Sequence, residues 1–489
     1  MAAPRLSRLH VAALCLGLIM AIAAIAVLQT ARLGVTATNF AITTTPVTRY
    51  ARPDADGPPV VIAHGFAGSR QIMQAYAYTL ARAGYVAYAF DFEGHGQNPV
   101  PMSGDVSSID GTTRLLVNQT RQVIEATQSP DQKTALLGHS MATDLLVRSI
   151  GPETGPVVLL SAFSQEITPD SPNDLLLLTG AWEPGLRDFA LKALQMVDPA
   201  ARDGDTATRD DLRRRARIVP YADHVSILHA RSAQRAALDW LDSYYGRSSS
   251  VTIWPTGWAL LVLLGSIVLL AAPLSRLLPQ TALPPRRRLG PAQIALLTLL
   301  PAIAAPLIAV PLNPGWLPVL VADYLALHLL VFGVVQLALL WRFGVPFGPV
   351  SARGLLALLV WGLAVFGLAL GRYGINFWPD LQRLWIIAAL CLGAVPFMLA
   401  DALVSYGAPF WQRLLARIGF LASLGLAVAL DFQGLFFLLM IAPIIALFYI
   451  IFGLMGRCVA GRSGPAAAGL ALGIVLAWAL GVSFPMFSA

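Results

Sequence analysis

From residue 250 onward the chain is a succession of apolar runs, near 256–274, 291–312, 317–340, 355–371, 384–403, 418–430, 435–455 and 466–484. All but the short 418–430 are roughly long enough to cross a bilayer as a helix. In hydrocarbon every backbone N–H and C=O must find its partner within the protein, so runs of this length are expected to be helical. A further run, Val11–Leu28, follows Arg5, Arg8 and His10. Small residues such as Ala21 and Ala23 could precede a signal-peptide cut, but the run is longer than a usual signal-peptide core, which favours an uncleaved anchor. The expectation is about nine membrane helices.

Composition supports a division of the chain. Hydrophobic residues make up 56 % and charged ones 12 %, against about 25 % charge in soluble proteins. All five glutamates (Glu93, Glu125, Glu153, Glu166, Glu183) and both lysines (Lys133, Lys192) fall between 50 and 245. Beyond 250 the acidic residues are Asp323, Asp380, Asp401 and Asp431. Three regions are expected: an anchor over 1–30, a polar domain over 31–250, and a helical transmembrane domain of about eight helices over 251–489.

The net charge of +7 has a topological reading. Arginines cluster in alternate loops: Arg276 with Arg286, Arg287 and Arg288; Arg342 with Arg353; Arg413 with Arg417; Arg457 with Arg462. The opposite loops hold little beyond Arg372 and Arg383. The positive-inside rule then puts the arginine loops and the N-terminus in the cytoplasm, and the polar domain outside it. No nucleic-acid motif accompanies the charge, so membrane lipids and not nucleic acid are the expected partners. Richness in Arg, Ala, Leu and Pro points to a high-GC bacterium and an inner membrane. Cys15, Cys391 and Cys458 lie in or beside apolar runs, which argues against disulfides and zinc sites. Oligomeric state is not legible.

Residues 40–245 alternate strand-like and helix-like stretches. Strands are expected at Phe40–Arg49, Pro59–Ala63, Val86–Phe92, Thr134–Leu137, Val157–Ala162, Leu175–Leu178 and Arg217–Pro220. Helices are expected at Gln71–Ala83, Arg114–Gln128, Thr143–Ser149, Leu186–Val197 and Ser226–Tyr245. Such alternation predicts an α/β fold, a mostly parallel sheet with helices on both faces.

Within it, Gly138-His139-Ser140-Met141-Ala142 joins a strand to a helix. A serine at the apex of that turn has its hydroxyl pushed outward, with a helix N-terminus behind it to offer N–H groups to an oxyanion. The turn departs from G-x-S-x-G at position 142, where alanine replaces glycine.

With these stretches, residues 31–250 resemble the α/β-hydrolase family of serine hydrolases and esterases. Val60–Ala63 runs into His64-Gly65-Phe66, and Asp91-Phe92-Glu93-Gly94-His95-Gly96 resembles the family's D-x-x-G-H-G turn. Leu175–Leu178 leads to Gly180-Ala181-Trp182-Glu183, where the family places its acid, and Arg217–Pro220 leads to Tyr221-Ala222-Asp223-His224, where it places its histidine. The resemblance implies a nucleophile Ser140, a base His224, an acid Glu183, and oxyanion N–H groups on Phe66 and Met141, without a metal or an organic cofactor.

Each part has its own chemical reason. A serine hydroxyl is a weak nucleophile that needs a base within reach. A neutral imidazole titrates near working pH and serves as base and then acid. A carboxylate orients the ring and stabilises the imidazolium. Asp188, five residues after Glu183, remains open as the acid, and Asp174 precedes the strand. His229 is expected to be solvated, His64 and His95 to structure turns, and His139 to pack beside the serine. The loop 163–174 is too short for a helical cap, so an open site is expected, compatible with a lipid or other amphiphilic ester.

The expected activity is cleavage of an ester or thioester by a membrane-anchored serine hydrolase through an acyl-enzyme. Two alternatives stay open. The same triad could pass the acyl group to an acceptor other than water. Or the helices could be the working part, as a transporter or scaffold, with the hydrolase-like domain binding a ligand without turnover. For that second reading the intramembrane candidates are Asp323, His328, Asp401 and Asp431, because charge in lipid is costly. Asp323 and His328, five apart, share a helix face poorly. Asp401 and Asp431 could instead sit at helix ends.

Overall fold

A computed structural model describes residues 6–105, 109–283, 285 and 287–488. Arg5 and Arg286, named among the basic flanks, lie outside the described residues. The chain divides into two compact units. One gathers the residues up to Ile22, Leu263–Ala369 and Phe377–Phe484. The other gathers Ala23–Val262, Leu370–Asn376 and the last residues from Pro485.

The second unit is built on a nine-stranded sheet of β1 (Thr36–Ile42), β2 (Thr45–Ala51), β3 (Pro59–Ala63), β4 (Val86–Phe90), β5 (Thr134–His139), β6 (Thr154–Leu160), β7 (Asp174–Gly180), β8 (Thr206–Arg209) and β9 (Leu212–Val219). The order is β1-β2-β4-β3-β5-β6-β7-β9-β8. Pairing is parallel from β4 through β9 and antiparallel at both edges. The central strands read as near-continuous apolar runs because both faces are covered: Val60-Val61-Ile62-Ala63 in β3 and Leu175–Leu178 in β7 are buried throughout. On one face Tyr76, Ala77 and Leu80 of the helix Gln74–Arg82 join Ala233, Ala237 and Leu241 of the helix Arg231–Tyr244 against Ile62, Leu137 and Leu176. Each such fully buried Leu or Ile is stabilising by about 1.5–3 kcal/mol.

One expected strand is a hairpin, and another is the second arm of a hairpin whose first arm was not expected. The stretch Phe40–Arg49 turns at Thr43-Thr44, with Ile42 paired to Thr45. A two-residue hairpin needs positive φ, and Thr43 supplies it at φ 52° without any of the usual Asn or Gly. β8 and β9 turn at Asp210-Asp211, with Asp210 at φ 52°. β9 begins five residues before the expected Arg217. Its arginines disguise it: Arg213 lies 3.9 Å over the Trp240 ring and bonds Asp174, and the buried Arg214 donates to Ala193 O.

The last residues also belong to this unit, which the sequence pattern did not reveal. Met102 N donates to Met486 O, Met486 N to Gly94 O, and Ser488 N to Met102 O. They brace the Gly94 turn. That turn is shaped from below by Asp91, whose carboxylate accepts from Arg70 N and Gln97 N and pairs with the Arg70 guanidinium.

Among the described residues nine helices are long and apolar enough to cross a membrane. They are Arg8–Thr30, Thr256–Ser275, Pro291–Leu312, Ala322–Arg342, Ala352–Tyr373, Leu381–Ser405, Phe410–Leu430, Leu438–Ser463 and Pro465–Ser483. The run 418–430, short as a span, is the C-terminal half of the 21-residue helix Phe410–Leu430. Gln412, Arg413 and Arg417 hid its first turns. Gly469 and Gly473 let Pro465–Ser483 close on Leu381–Ser405: a Cβ on either would lie within 2.6 Å of Leu399 Cα or Val395 Cα.

Candidate active site

The site lies at the C-terminal ends of the parallel strands, where α/β sheets hold their ligands. β5 ends at His139, and the helix Met141–Arg148 starts at Met141. Ser140 between them has φ 54° and ψ −121°, a conformation side chains rarely adopt. The turn closes only because its neighbours are small. A Cβ on Gly138 would come within 2.5 Å of Leu146 Cδ1, and one on Gly65 within 2.9 Å of Ser140 Cβ. Ala142 is fully buried, and its methyl would stand 3.4 Å from even a Cβ on Gly138, an ordinary contact, so the alanine fits beside the turn. Thr143 Oγ1 donates to Ser140 O and accepts from Phe163 N, which ties the turn to the loop after β6.

Glu183 follows β7, and His224 follows β9. Strand order thus brings together side chains 41 and 84 residues apart. His224 Nε2 lies 2.8 Å from Ser140 Oγ, and His224 Nδ1 lies 2.7 Å from Glu183 Oε1. A carboxylate only accepts, so the neutral ring carries its proton on Nδ1 and presents the Nε2 lone pair to the serine hydroxyl. Asp188, the other acid considered, is exposed on the helix Pro184–Gln195, and Asp174 is engaged by Arg213.

The Glu183 carboxylate is held on its second oxygen too. Oε2 accepts from Ser161 Oγ at 2.7 Å and from Gly180 N at 2.8 Å. Burial pushes its pKa up, but the hydrogen bonds from His224, Ser161 and Gly180 outweigh burial and leave it below the ordinary glutamate value. Ser161 was not singled out from sequence. Its only signal is its place immediately after β6, with φ 50°.

The loop of His224 is shaped by Asp223, whose Oδ1 accepts from Val225 N and Ser226 N. His139 packs its ring 4.9 Å from the His224 ring and donates Nε2–H to His224 O at 2.7 Å. Burial pulls its pKa down to about 4, with repulsion from His224 adding to the effect. His64 is also a neutral clamp. Its Nδ1–H donates to Gly65 O and its Nε2 accepts from Phe92 N, which links the ends of β3 and β4. Burial pulls it down to about 4 as well. His95 donates to Glu93 O inside its own turn. His229, expected in solvent, instead lies half-buried at the end of a short 3₁₀ turn, five residues after His224.

Phe66 and Met141 are the residues expected to offer oxyanion N–H groups. Phe66 follows Gly65, whose backbone lies against Ser140, and Met141 opens the helix behind it. The site is open. The His224 side chain is 46 % exposed while Glu183 is only 7 % exposed. Around it Phe163, Trp182, Tyr221 and Val225 expose large apolar surfaces.

Residues 57–205 match the family model described as serine aminopeptidase, S33. The match includes Ser140 and Glu183 and ends before His224. Solved structures that resemble the chain include a predicted CIB-like hydrolase from Thermoplasma acidophilum, with 14 % identity, TM-score 0.34, and 43 % of this chain against 98 % of the other covered. A dienelactone hydrolase from Anabaena variabilis has 17 % identity and TM-score 0.32, over 44 % and 100 % of the two chains. An epoxide hydrolase from Vigna radiata has 12 % identity and TM-score 0.32, over 44 % and 100 %. No curated protein matches. The chain therefore carries an α/β-hydrolase domain, matched over residues 57–205, together with a helical region of spans long and apolar enough to cross a membrane.

Proposed function

We propose that the protein is a membrane-anchored serine hydrolase that cleaves carboxylic esters or thioesters of amphiphilic substrates. Ser140 Oγ attacks the carbonyl carbon while His224 Nε2 takes its proton. Glu183 holds the resulting imidazolium, and the N–H groups of Phe66 and Met141 receive the developing oxyanion. The His224 imidazolium then protonates the leaving alcohol or thiol, and an acyl-Ser140 remains. Water, deprotonated by His224, attacks the acyl group and releases the acid.

The observation that carries this reading is the unbroken chain Ser140 Oγ–His224–Glu183, with bonds of 2.8 and 2.7 Å. The apolar rim of Phe163, Trp182, Tyr221 and Val225 supports a substrate with an apolar acyl or alkyl arm. The orientation expected from the arginine loops would set this site outside the cytoplasm.

The test is turnover of p-nitrophenyl esters of increasing chain length by the full chain in detergent. The reading expects hydrolysis that improves with chain length and disappears in Ser140→Ala. Turnover that survives in Ser140→Ala, or none by the wild type with any ester or thioester, contradicts it.

A further inference from the structure

A second polar site lies within the hydrolase unit, away from the triad. Residues from the stretches 28–32, 74–82 and 229–256, with Tyr373, line a cavity of about 30 Å³, room for one or two water-sized groups. Six of these residues bring it a buried side-chain atom without a hydrogen-bond partner among the described residues: Arg32 Nη1, Gln74 Nε2, His229 Nδ1, Gln234 Nε2, Trp254 Nε1 and Thr256 Oγ1. Gln74 is 7 % exposed and Gln234 2 %. Arg32 Nη1, the two amide nitrogens and the indole nitrogen can only donate. Buried donors left unmatched cost about 1–3 kcal/mol each, so so many in one place call for an acceptor.

The acceptor sides of these groups are already engaged. Gln74 Oε1 takes the other Arg32 nitrogen at 2.7 Å, and Gln234 Oε1 takes Thr79 Oγ–H at 2.8 Å. The free donors are therefore fixed in orientation. The charge is one-sided too. Arg82 lines the cavity, and Arg372 offers its carbonyl to Arg32. Among the described residues no ion pair involves Arg32, Arg82 or Arg372. The Arg32 guanidinium is flanked instead by the Tyr78 and Tyr373 rings, at 4.9 and 5.0 Å.

We propose that this cavity takes one or two oxygens of a single oxyanion, a phosphate or carboxylate group, on Arg32, Gln74, Gln234 and Trp254. Its place in the chain fits a lipid headgroup. Arg32 comes two residues after the helix Arg8–Thr30, Thr256 opens Thr256–Ser275, and Tyr373 closes Ala352–Tyr373. Arg, Trp and Tyr at the ends of apolar spans are the residues of the headgroup zone. Free phosphate offers the same oxygens, and the experiment separates the two sources.

The thermal unfolding midpoint of the full chain is read in detergent with inorganic phosphate titrated against chloride at constant ionic strength. It is read again after reconstitution into phosphatidylcholine vesicles with and without phosphatidylglycerol. The proposal expects phosphate, phosphatidylglycerol or both to raise the midpoint, and the arm that responds identifies the source. Gln234→Glu keeps the bond from Thr79 and puts a carboxylate where the donor stood. It is expected to unfold no earlier than the wild type and to lose the response, with apparent affinity down by about tenfold or more. Arg32→Gln is expected to lose it as well, and serves if Gln234→Glu does not fold. A wild-type midpoint indifferent to both ligands, or a response that persists undiminished in these variants, overturns the proposal and leaves the cavity to water.

Discussion

The two units bury polar side chains in opposite ways. In the hydrolase unit a line of hydrogen bonds starts in the interior, at Ser161 and Gly180, passes through Glu183 and His224, and ends on the half-exposed Ser140. In the membrane unit each ionisable residue named as an intramembrane candidate is met by a neighbour. Asp401 receives Arg417, which also lies 4.5 Å over the Tyr449 ring. His328 sits between Tyr324 OH and Ser423 Oγ. Asp323 accepts from Trp316 N and Leu317 N, and Asp431 caps the turn at Gly434 N. A line that ends on a half-exposed serine hydroxyl suits the proposed chemistry. A set of separate, locally satisfied pairs is a way to hold helices together in a medium where an unmet charge is costly.

Substitutions can break this contrast at several depths. The largest effect is expected from Ser140→Ala or His224→Ala, with kcat for an ester substrate down by about 10⁴-fold or more while the unfolding midpoint barely moves. Glu183→Gln leaves the ring without its carboxylate and is expected to cost on the order of 10³-fold in kcat, with less effect on KM. Asp401→Ala should reverse that pattern. It strands Arg417 among helices and is expected to destabilise the membrane unit by about 3–5 kcal/mol, with ester turnover per folded molecule unchanged. If instead Asp401→Ala abolishes turnover in folded protein, the two units are not independent in function.

A smaller effect should appear with pH. His64 and His139 have folded pKa values near 4 against an ordinary 6.5. The unfolded chain therefore binds more protons between those values. The stability that their neutral forms contribute is complete above pH 6.5 and is lost as pH falls toward 4. Unfolding midpoints measured across that window should decline, and His139→Gln should make the decline shallower. The smallest effect is expected from Ala142→Gly, about 1 kcal/mol of stability from a helical first turn and turnover within a few-fold of wild type.

Much of the sheet was legible because buried parallel strands are apolar runs, as at Val60–Ala63 and Leu175–Leu178. The hairpins were not, because Thr43 and Asp210 take the positive φ that Asn-Gly would have advertised. β9 was only half legible, since Arg213 and Arg214 satisfy their charge on Trp240, Asp174 and main-chain carbonyls that come together only in the fold. At the site, Ser140, His224 and Glu183 were legible as motif residues at strand ends, whereas only the fold puts Glu183, and not Asp188, beside the His224 ring. Ser161, which holds the far oxygen of Glu183, carries no motif. The return of Met486 to the Gly94 turn is a contact between distant parts of the chain that no local pattern encodes.

The most direct measurement of the central proposal is reaction of the full-length protein with a fluorophosphonate, followed by mass-spectrometric location of the adduct. The account predicts one phosphonylated residue, Ser140, with labelling lost in Ser140→Ala and slowed in His224→Ala. An adduct elsewhere, or labelling unchanged in Ser140→Ala, would contradict it.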